Sequence, residues 1–64
     1  MNSAAMATNL LGMPVRLKER PVGCRTDEGS ITLVAIDQRG VHFLVLVDHT
    51  LIPIDSTDKF VVLD

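Results

Sequence analysis

The sequence predicts an all-β protein, a small five-stranded barrel with a short N-terminal segment in front of it. Short apolar runs between Ile31 and Leu63 alternate with turn residues, which is typical of small β domains. The run at residues 41–47 is apolar at almost every position, whereas a strand with one wet face alternates. Both faces of this strand therefore need cover, from a closed sheet or from another copy of the chain.

Length and composition favour self-association. The chain has 64 residues, of which 47% are hydrophobic and 22% are charged, so a disordered chain is excluded. A domain of this size buries only about 60% of its unfolded surface. Its single cysteine excludes an internal disulfide framework, and no spacing resembles a structural zinc site. We therefore expect a homo-oligomer, a dimer or larger.

The N-terminal segment, residues 1–13, is expected to lie outside the barrel domain of residues 14–64. Its residues 2–12 favour a short helix that Gly12 and Pro14 would end. Isolated helices of this length are marginal in water, so a disordered tail is the alternative.

Five strands follow along the barrel domain. They are predicted at residues 14–22, 30–36, 41–47, 51–54 and 59–63. In the second strand, Ile31, Leu33 and Ala35 are expected on one face, and they alternate with Ser30, Thr32 and Val34 on the other. Gly40 ends a tight reversal, and Pro53 places the fourth strand at an edge or a bulge. A single helical turn at residues 55–58, capped by Asp55, precedes the last strand.

This succession resembles the SH3-like small barrels. It has a long loop after the first strand, tight turns after the second and third, and one helical turn before the fifth. The resemblance is to an architecture and implies no ligand, because the chain has no Trp or Tyr with which to build an aromatic peptide groove.

The third strand supplies the strongest candidate for a functional surface. Val41, Phe43, Val45 and Val47 are assigned to the inner face, and the predicted oligomer interface consists of His42, Leu44, Leu46 and Leu51. If that face is an interface, a proton on His42 near pH 6 places a charge in it and weakens assembly.

A basic stripe is the second candidate. Arg16, Lys18 and Arg20 alternate along the first predicted strand, about 7 Å apart, which is close to the spacing of phosphates. Arg25 extends the stripe from the loop. The alternative is that these cations are solvated and protect a sheet edge.

Charge is divided unevenly between the two parts of the chain. Residues 1–26 carry four cations and one carboxylate, a net +3, and residues 27–64 carry two cations and seven carboxylates, a net −5. The overall pI near 5.5 disfavours a nucleic-acid partner without removing it as an alternative.

No catalytic or metal site is predicted. Cys24 with a histidine lacks any local signature of a nucleophile and base, and is expected to be an ordinary loop residue. His42, Asp48 and His49 flank a turn and need not converge on a metal ion. We expect no cofactor.

The sequence thus predicts a non-enzymatic, cytoplasmic interaction module that self-associates, with a further protein partner left open. No apolar run approaches the roughly 18 residues of a membrane span, so no membrane partner is expected. The alternative is a small RNA- or DNA-binding regulator that uses the basic stripe. An enzyme with its site on an oligomer axis has no catalytic residues to support it.

Overall fold

The computed structural model describes residues 9–63, which form one antiparallel β-sheet of five strands with almost no helix. The strands are β1 (Pro14–Leu17), β2 (Glu28–Asp37), β3 (Gly40–Val47), β4 (Thr50–Ile54) and β5 (Phe60–Val62). A 3₁₀ turn at Thr57–Lys59 joins β4 to β5. The predicted all-β class is confirmed.

The sheet is open, so the expectation of a closed barrel is wrong. The strand order is β4-β3-β2-β1-β5, and within residues 9–63 no ladder joins β4 to β5. All four ladders are antiparallel, so β4 and β5 run in the same direction. Closure would therefore require a parallel pair, which is slightly less stable per residue. Pro53 in β4 would also contribute no N–H to that pair.

The core lies on one face of the sheet, the inner face. Its buried side chains are Val15, Leu17, Cys24, Ile31, Phe43, Val45, Val47, Ile54 and Phe60. Three of the four residues predicted to face inward from β3 are buried, and the fourth, Val41, packs against this core half-buried. The rings of Phe43 and Phe60 meet edge to face at 5.3 Å. This contact connects β3 to β5 across the inner face.

A bulge in β2 overturns the predicted alternation of that strand. Ile31 lies opposite Val45, but the register shifts and Leu33 lies opposite Leu44. The extra residue sends Leu33 and the residues after it to the opposite face from the one predicted. Ile31 stays in the core, and Val34 takes the inward position beyond the bulge, opposite Phe43.

The first strand ends earlier than predicted, at Leu17 rather than Val22. The pairing of β1 stops there on both sides. Leu17 lies opposite Phe60, the first residue of β5, and its backbone N–H donates to the carbonyl of Asp27, the residue just before β2. Beyond this point the chain turns, and Cys24 donates its backbone N–H to Pro21 at 3.1 Å. Residues 18–27 are therefore a loop.

The N-terminal prediction falls largely outside the described residues, which exclude 1–8. Asn9–Gly12 form a turn, in which Met13 donates its N–H to the carbonyl of Leu10 at 3.0 Å and Gly12 has φ 83°. Gly12 then donates to Ile31 at 2.8 Å, which continues the β1–β2 ladder by one step.

The helical turn before β5 has a different cap from the one predicted. The side chain of Ser56, not that of Asp55, accepts the backbone N–H of Asp58, at 3.1 Å. Asp55 instead forms an ion pair with Lys59. None of the helical structure within residues 9–63 is long and apolar enough to cross a bilayer.

Candidate interaction surface

An apolar cluster occupies the outer face of the sheet, opposite the core. We call it the outer patch, and it consists of Leu33, Leu44, Leu46, Leu51 and Pro53. Leu46 lies opposite Leu51 in the β3–β4 ladder, and Leu44 lies between Leu33 on β2 and Pro53 on β4. Three members retain much of their accessible surface, namely Leu33 at 45%, Leu46 at 39% and Leu51 at 53%. A contiguous apolar group of this kind is typical of an interaction surface.

Tight turn geometry fixes the β3–β4 half of the outer patch. Asp48 and His49 form the two-residue turn, with positive φ angles of 50° and 63°. Such primed turns match the twist of the flanking strands and set their register. As a result Val47 pairs with Thr50, and the next pair outward is Leu46 with Leu51.

The β2 bulge supplies the other half. The hydroxyl of Thr32, at the bulge, donates to the carbonyl of Leu44 at 3.0 Å. This bond satisfies a backbone acceptor where the ladder is interrupted. The bulge brings Leu33 to the outer face beside Leu44, where the sequence prediction had not placed it. Pro53 was likewise not predicted as part of the surface.

His42 lies on the outer face beyond Leu44, opposite Ala35. Its Nε2 lies 3.1 Å from Oδ1 of Asp37, and about a third of its side chain is exposed. The pKa of Asp37 is lowered, mainly because the backbone N–H of Arg39 donates to its carboxylate at 2.7 Å, with a smaller effect from His42. The imidazole also contributes slightly to the lowered pKa of Asp55, so it interacts with two carboxylates.

The four predicted interface residues therefore share one face, but they are not equivalent. Leu44, Leu46 and Leu51 belong to the outer patch, whereas His42 lies at its margin in a polar contact with Asp37.

The predicted basic stripe is not assembled. Arg16 is on β1, but its guanidinium donates to the carboxylate of Glu28, opposite it on β2, at 2.9 Å. Lys18 and Arg20 lie beyond the end of the strand, in the loop. Arg25 is in that loop as well, and its backbone N–H donates to Oδ2 of Asp48 at 2.9 Å.

A cleft of about 620 Å³ opens between this loop and β4. Residues 17–22, 52–54 and 58–59 line it. Its cations Lys18, Arg20 and Lys59 are mixed with the carboxylates of Glu19 and Asp58. Lys59 is also engaged with Asp55 at 2.8 Å. The cleft therefore presents no field of one sign and defines no class of ligand.

The Cys24 thiol and the histidine–aspartate group show no arrangement for catalysis or metal binding. Cys24 is buried, and Sγ lies 3.7 Å from the carbonyl oxygen of Val47, which is its hydrogen-bond partner. Within residues 9–63 no three His, Cys, Asp or Glu side chains are grouped to hold a metal ion.

Comparison with protein family models, with curated proteins and with solved structures gave no match to this chain.

Proposed function

We propose that this chain is a non-enzymatic β-sheet module that self-associates by covering the outer patch with the outer patch of a second copy. The observation that carries the proposal is the pair Leu46 and Leu51, which lie side by side on the outer face and are both exposed. A leucine is worth about 1.5–3 kcal/mol when it is fully buried. Since each is already partly covered, an interface would gain roughly 1 kcal/mol from each of them.

A second copy is the occupant that the size of the domain favours. A single layer of five strands buries only one of its faces, and within residues 9–63 no second layer covers the other. An isologous contact between two copies supplies that layer as an identical sheet. The leucines of one outer patch then pack against the same leucines of the other.

An SH3-like arrangement is part of the proposal. It is supported by the strand order β4-β3-β2-β1-β5 and by the 3₁₀ turn that leads into β5. The cleft supports it as well, because β4 and the loop after β1 line one space although they lie on opposite sides of the sheet order.

A binding role fits the charged side chains better than a catalytic one. The ion pairs Arg16–Glu28 and Lys59–Asp55 are exposed, and in each the two charges offset one another. His42 lies 3.1 Å from the carboxylate of Asp37. Catalytic acids and bases are usually found in clefts with shifted pKa values. Nucleic-acid binding is the weaker alternative, since Arg16 is already paired with Glu28 and Lys18 and Arg20 do not continue its row.

Light scattering on matched variants tests the outer patch. Leu46→Lys and Leu51→Lys place an ammonium in the proposed contact, and we expect each to lower the solution mass at least twofold while the circular dichroism spectrum of the fold is kept. Ile36→Lys is the control, because Ile36 is as exposed as Leu51, at 53%, but lies outside the outer patch. Wild-type mass in both leucine variants would refute the interface.

A further inference from the structure

The two free edges of the sheet differ in what they offer to another strand. In the β3–β4 hairpin, the two-residue turn makes Val47 and Thr50 a hydrogen-bonded pair. By alternation Ile52 and Ile54 also bond to β3, and the backbone groups of Leu51 and Pro53 point away from the sheet. Pro53 has no N–H, so the β4 edge lacks a donor at its centre.

The β5 edge, in contrast, has a backbone N–H at each residue whose backbone groups point away from the sheet. Lys18 donates its N–H to Lys59 at 3.0 Å, and Leu63 donates to Pro14 at 2.8 Å. These two bonds enclose the β1–β5 ladder and identify Arg16 and Val61 as its hydrogen-bonded pair. The N–H and C=O groups of Phe60 and Val62 therefore point away from β1. Within residues 9–63 no strand pairs with that side of β5.

We propose that β5 pairs antiparallel with β5 of a second copy, with Val61 on the two-fold axis. In this register Phe60 lies opposite Val62 of the second copy, and Val62 lies opposite Phe60 of the second copy. Each such pair exchanges two N–H···O bonds, so the contact contains about four hydrogen bonds. Three residues of β5 are enough to form all of them.

Side-chain positions agree with the same register. Phe60 and Val62 both face inward, so the inner faces of the two sheets continue into each other. Val61 faces outward and is 51% exposed, and it would contact its own symmetry mate. Lys59 would lie opposite Leu63 of the second copy, so the two lysines do not meet across the axis.

The β5 edge pairs better with β5 of a second copy than with β4 of a second copy. The backbone groups that point away from β4 belong to outer-face residues, whereas those of β5 belong to inner-face residues. An antiparallel β4–β5 contact between copies would set Leu51 or Pro53 beside Phe60 or Val62 and would join the outer face of one sheet to the inner face of the next. It would also lose the donor that Pro53 lacks. Pairing of β5 with itself avoids both conflicts.

The edge contact is independent of the outer-patch contact. Its axis is perpendicular to the sheet, whereas the axis of a face-to-face contact lies parallel to the sheet. Perpendicular two-fold axes that intersect generate one closed assembly of four chains, in which both contacts would be present. Failure of either contact alone would leave a dimer held by the other.

The first test changes the side chain on the axis. In Val61→Lys the two lysine Cα atoms would lie about 4.5 Å apart, so two positively charged side chains would leave the axis side by side. We expect the solution mass to halve. Val61→Thr keeps the β-branched shape without charge and should keep the wild-type mass.

The second test removes one edge donor and leaves every side chain in place. Chemical synthesis of this chain with an N-methyl group on Val62 blocks the outward N–H, and we expect the mass to halve again. The same modification at Leu51, on the other free edge, is the matched control and should leave the mass unchanged.

Wild-type mass in either Val61→Lys or the N-methylated Val62 chain overturns the edge pairing. If both edge variants lower the mass while Leu46→Lys does not, the edge pairing is supported and the outer-patch proposal fails. An Hα–Hα cross-peak of Val61 between labelled and unlabelled chains would identify the register directly.

Discussion

Gly29 on β2 lies so close to Leu46 on β3 that a Cβ at Gly29 would overlap the carbonyl oxygen of Leu46. Such a Cβ would also lie 2.8 Å from Cγ2 of Val47, which is a core residue. Gly29 comes just before Ser30, which pairs with Leu46, and it pairs on its other side with Val15 of β1. The missing side chain therefore lets three strands approach one another where the core is most deeply buried.

Gly29→Ala is expected to destabilise the fold by about 1–3 kcal/mol, because backbone atoms rather than a flexible side chain must move. Gly23→Ala is the control, since a Cβ there meets nothing within 4 Å although its φ of 86° is unfavourable for alanine. We expect the control to cost about 1 kcal/mol. Urea unfolding at one fixed protein concentration compares the two. A larger loss in Gly23→Ala would contradict the close approach at Gly29.

The Asp55–Lys59 ion pair should affect stability at both ends of the pH range. Lys59 lowers the pKa of Asp55 below its ordinary value of 3.8, so this stabilisation is present above that value and is lost as the pH falls through the folded-state pKa. Asp55 raises the pKa of Lys59 above 10.5, so the lysine contribution is complete below that value and is lost as the pH rises through the folded-state pKa.

Lys59→Gln should therefore flatten the pH dependence of the urea midpoint in both windows, by a small amount because the pair is exposed. Lys18→Gln removes one cation from the same side of the cleft and serves as the control. Asp37 adds its own acid-range dependence, because the Arg39 N–H lowers its pKa, and this part should survive in both variants. Identical pH profiles for Lys59→Gln and wild type would show that the pair contributes nothing.

The sequence predicted the fold best where apolar alternation and turn chemistry agree. Residues 41–47 lie inside β3 and Gly40 begins it, with a φ of 121° at the reversal. The β2 bulge was not predictable in this way, because residues 33–36 are all apolar and fit either face. The end of β1 was missed for another reason. The strand was predicted to run to residue 22, but the apolar alternation of Val15 and Leu17 stops at Glu19, and the pairing on both sides of β1 ends by Leu17.

The same limits explain the candidate surfaces. The common face of Leu44, Leu46 and Leu51 was predicted from the surplus of apolar residues in and after the third strand. Leu33 was not placed on that face, because its orientation depends on the bulge. The contact of Arg16 with Glu28 was not predicted, because it joins residues 12 apart in the chain and a pattern along one strand does not reveal it.

Binding to nucleic acid, if it occurs, should depend only weakly on salt. Four cations acting together on a single strand would give a slope of about −2.8 in log K against log salt. Because Arg16 is paired with Glu28, we expect a slope near −1 or no measurable binding to a short single-stranded RNA. Glu28→Gln frees Arg16 and should steepen the slope, whereas Lys18→Gln should reduce it. A wild-type slope near −2.8 would restore the basic stripe as a binding site.

Protonation of His42 should disturb assembly less than the sequence alone suggests. Asp37 contacts the imidazole at 3.1 Å, so a positive charge on the ring is compensated in place. We therefore expect the wild-type solution mass to stay nearly constant from pH 8 to pH 5. Asp37→Asn removes the nearest compensating charge but keeps an oxygen that can accept the Arg39 N–H. In this variant a charged imidazole at the margin of the outer patch is less well compensated, and the mass should fall between pH 8 and pH 5. His42→Gln in the Asp37→Asn background should abolish that fall, because the imidazole is then absent. A pH-dependent mass in wild type equal to that of Asp37→Asn would show that the Asp37 contact does not compensate the ring.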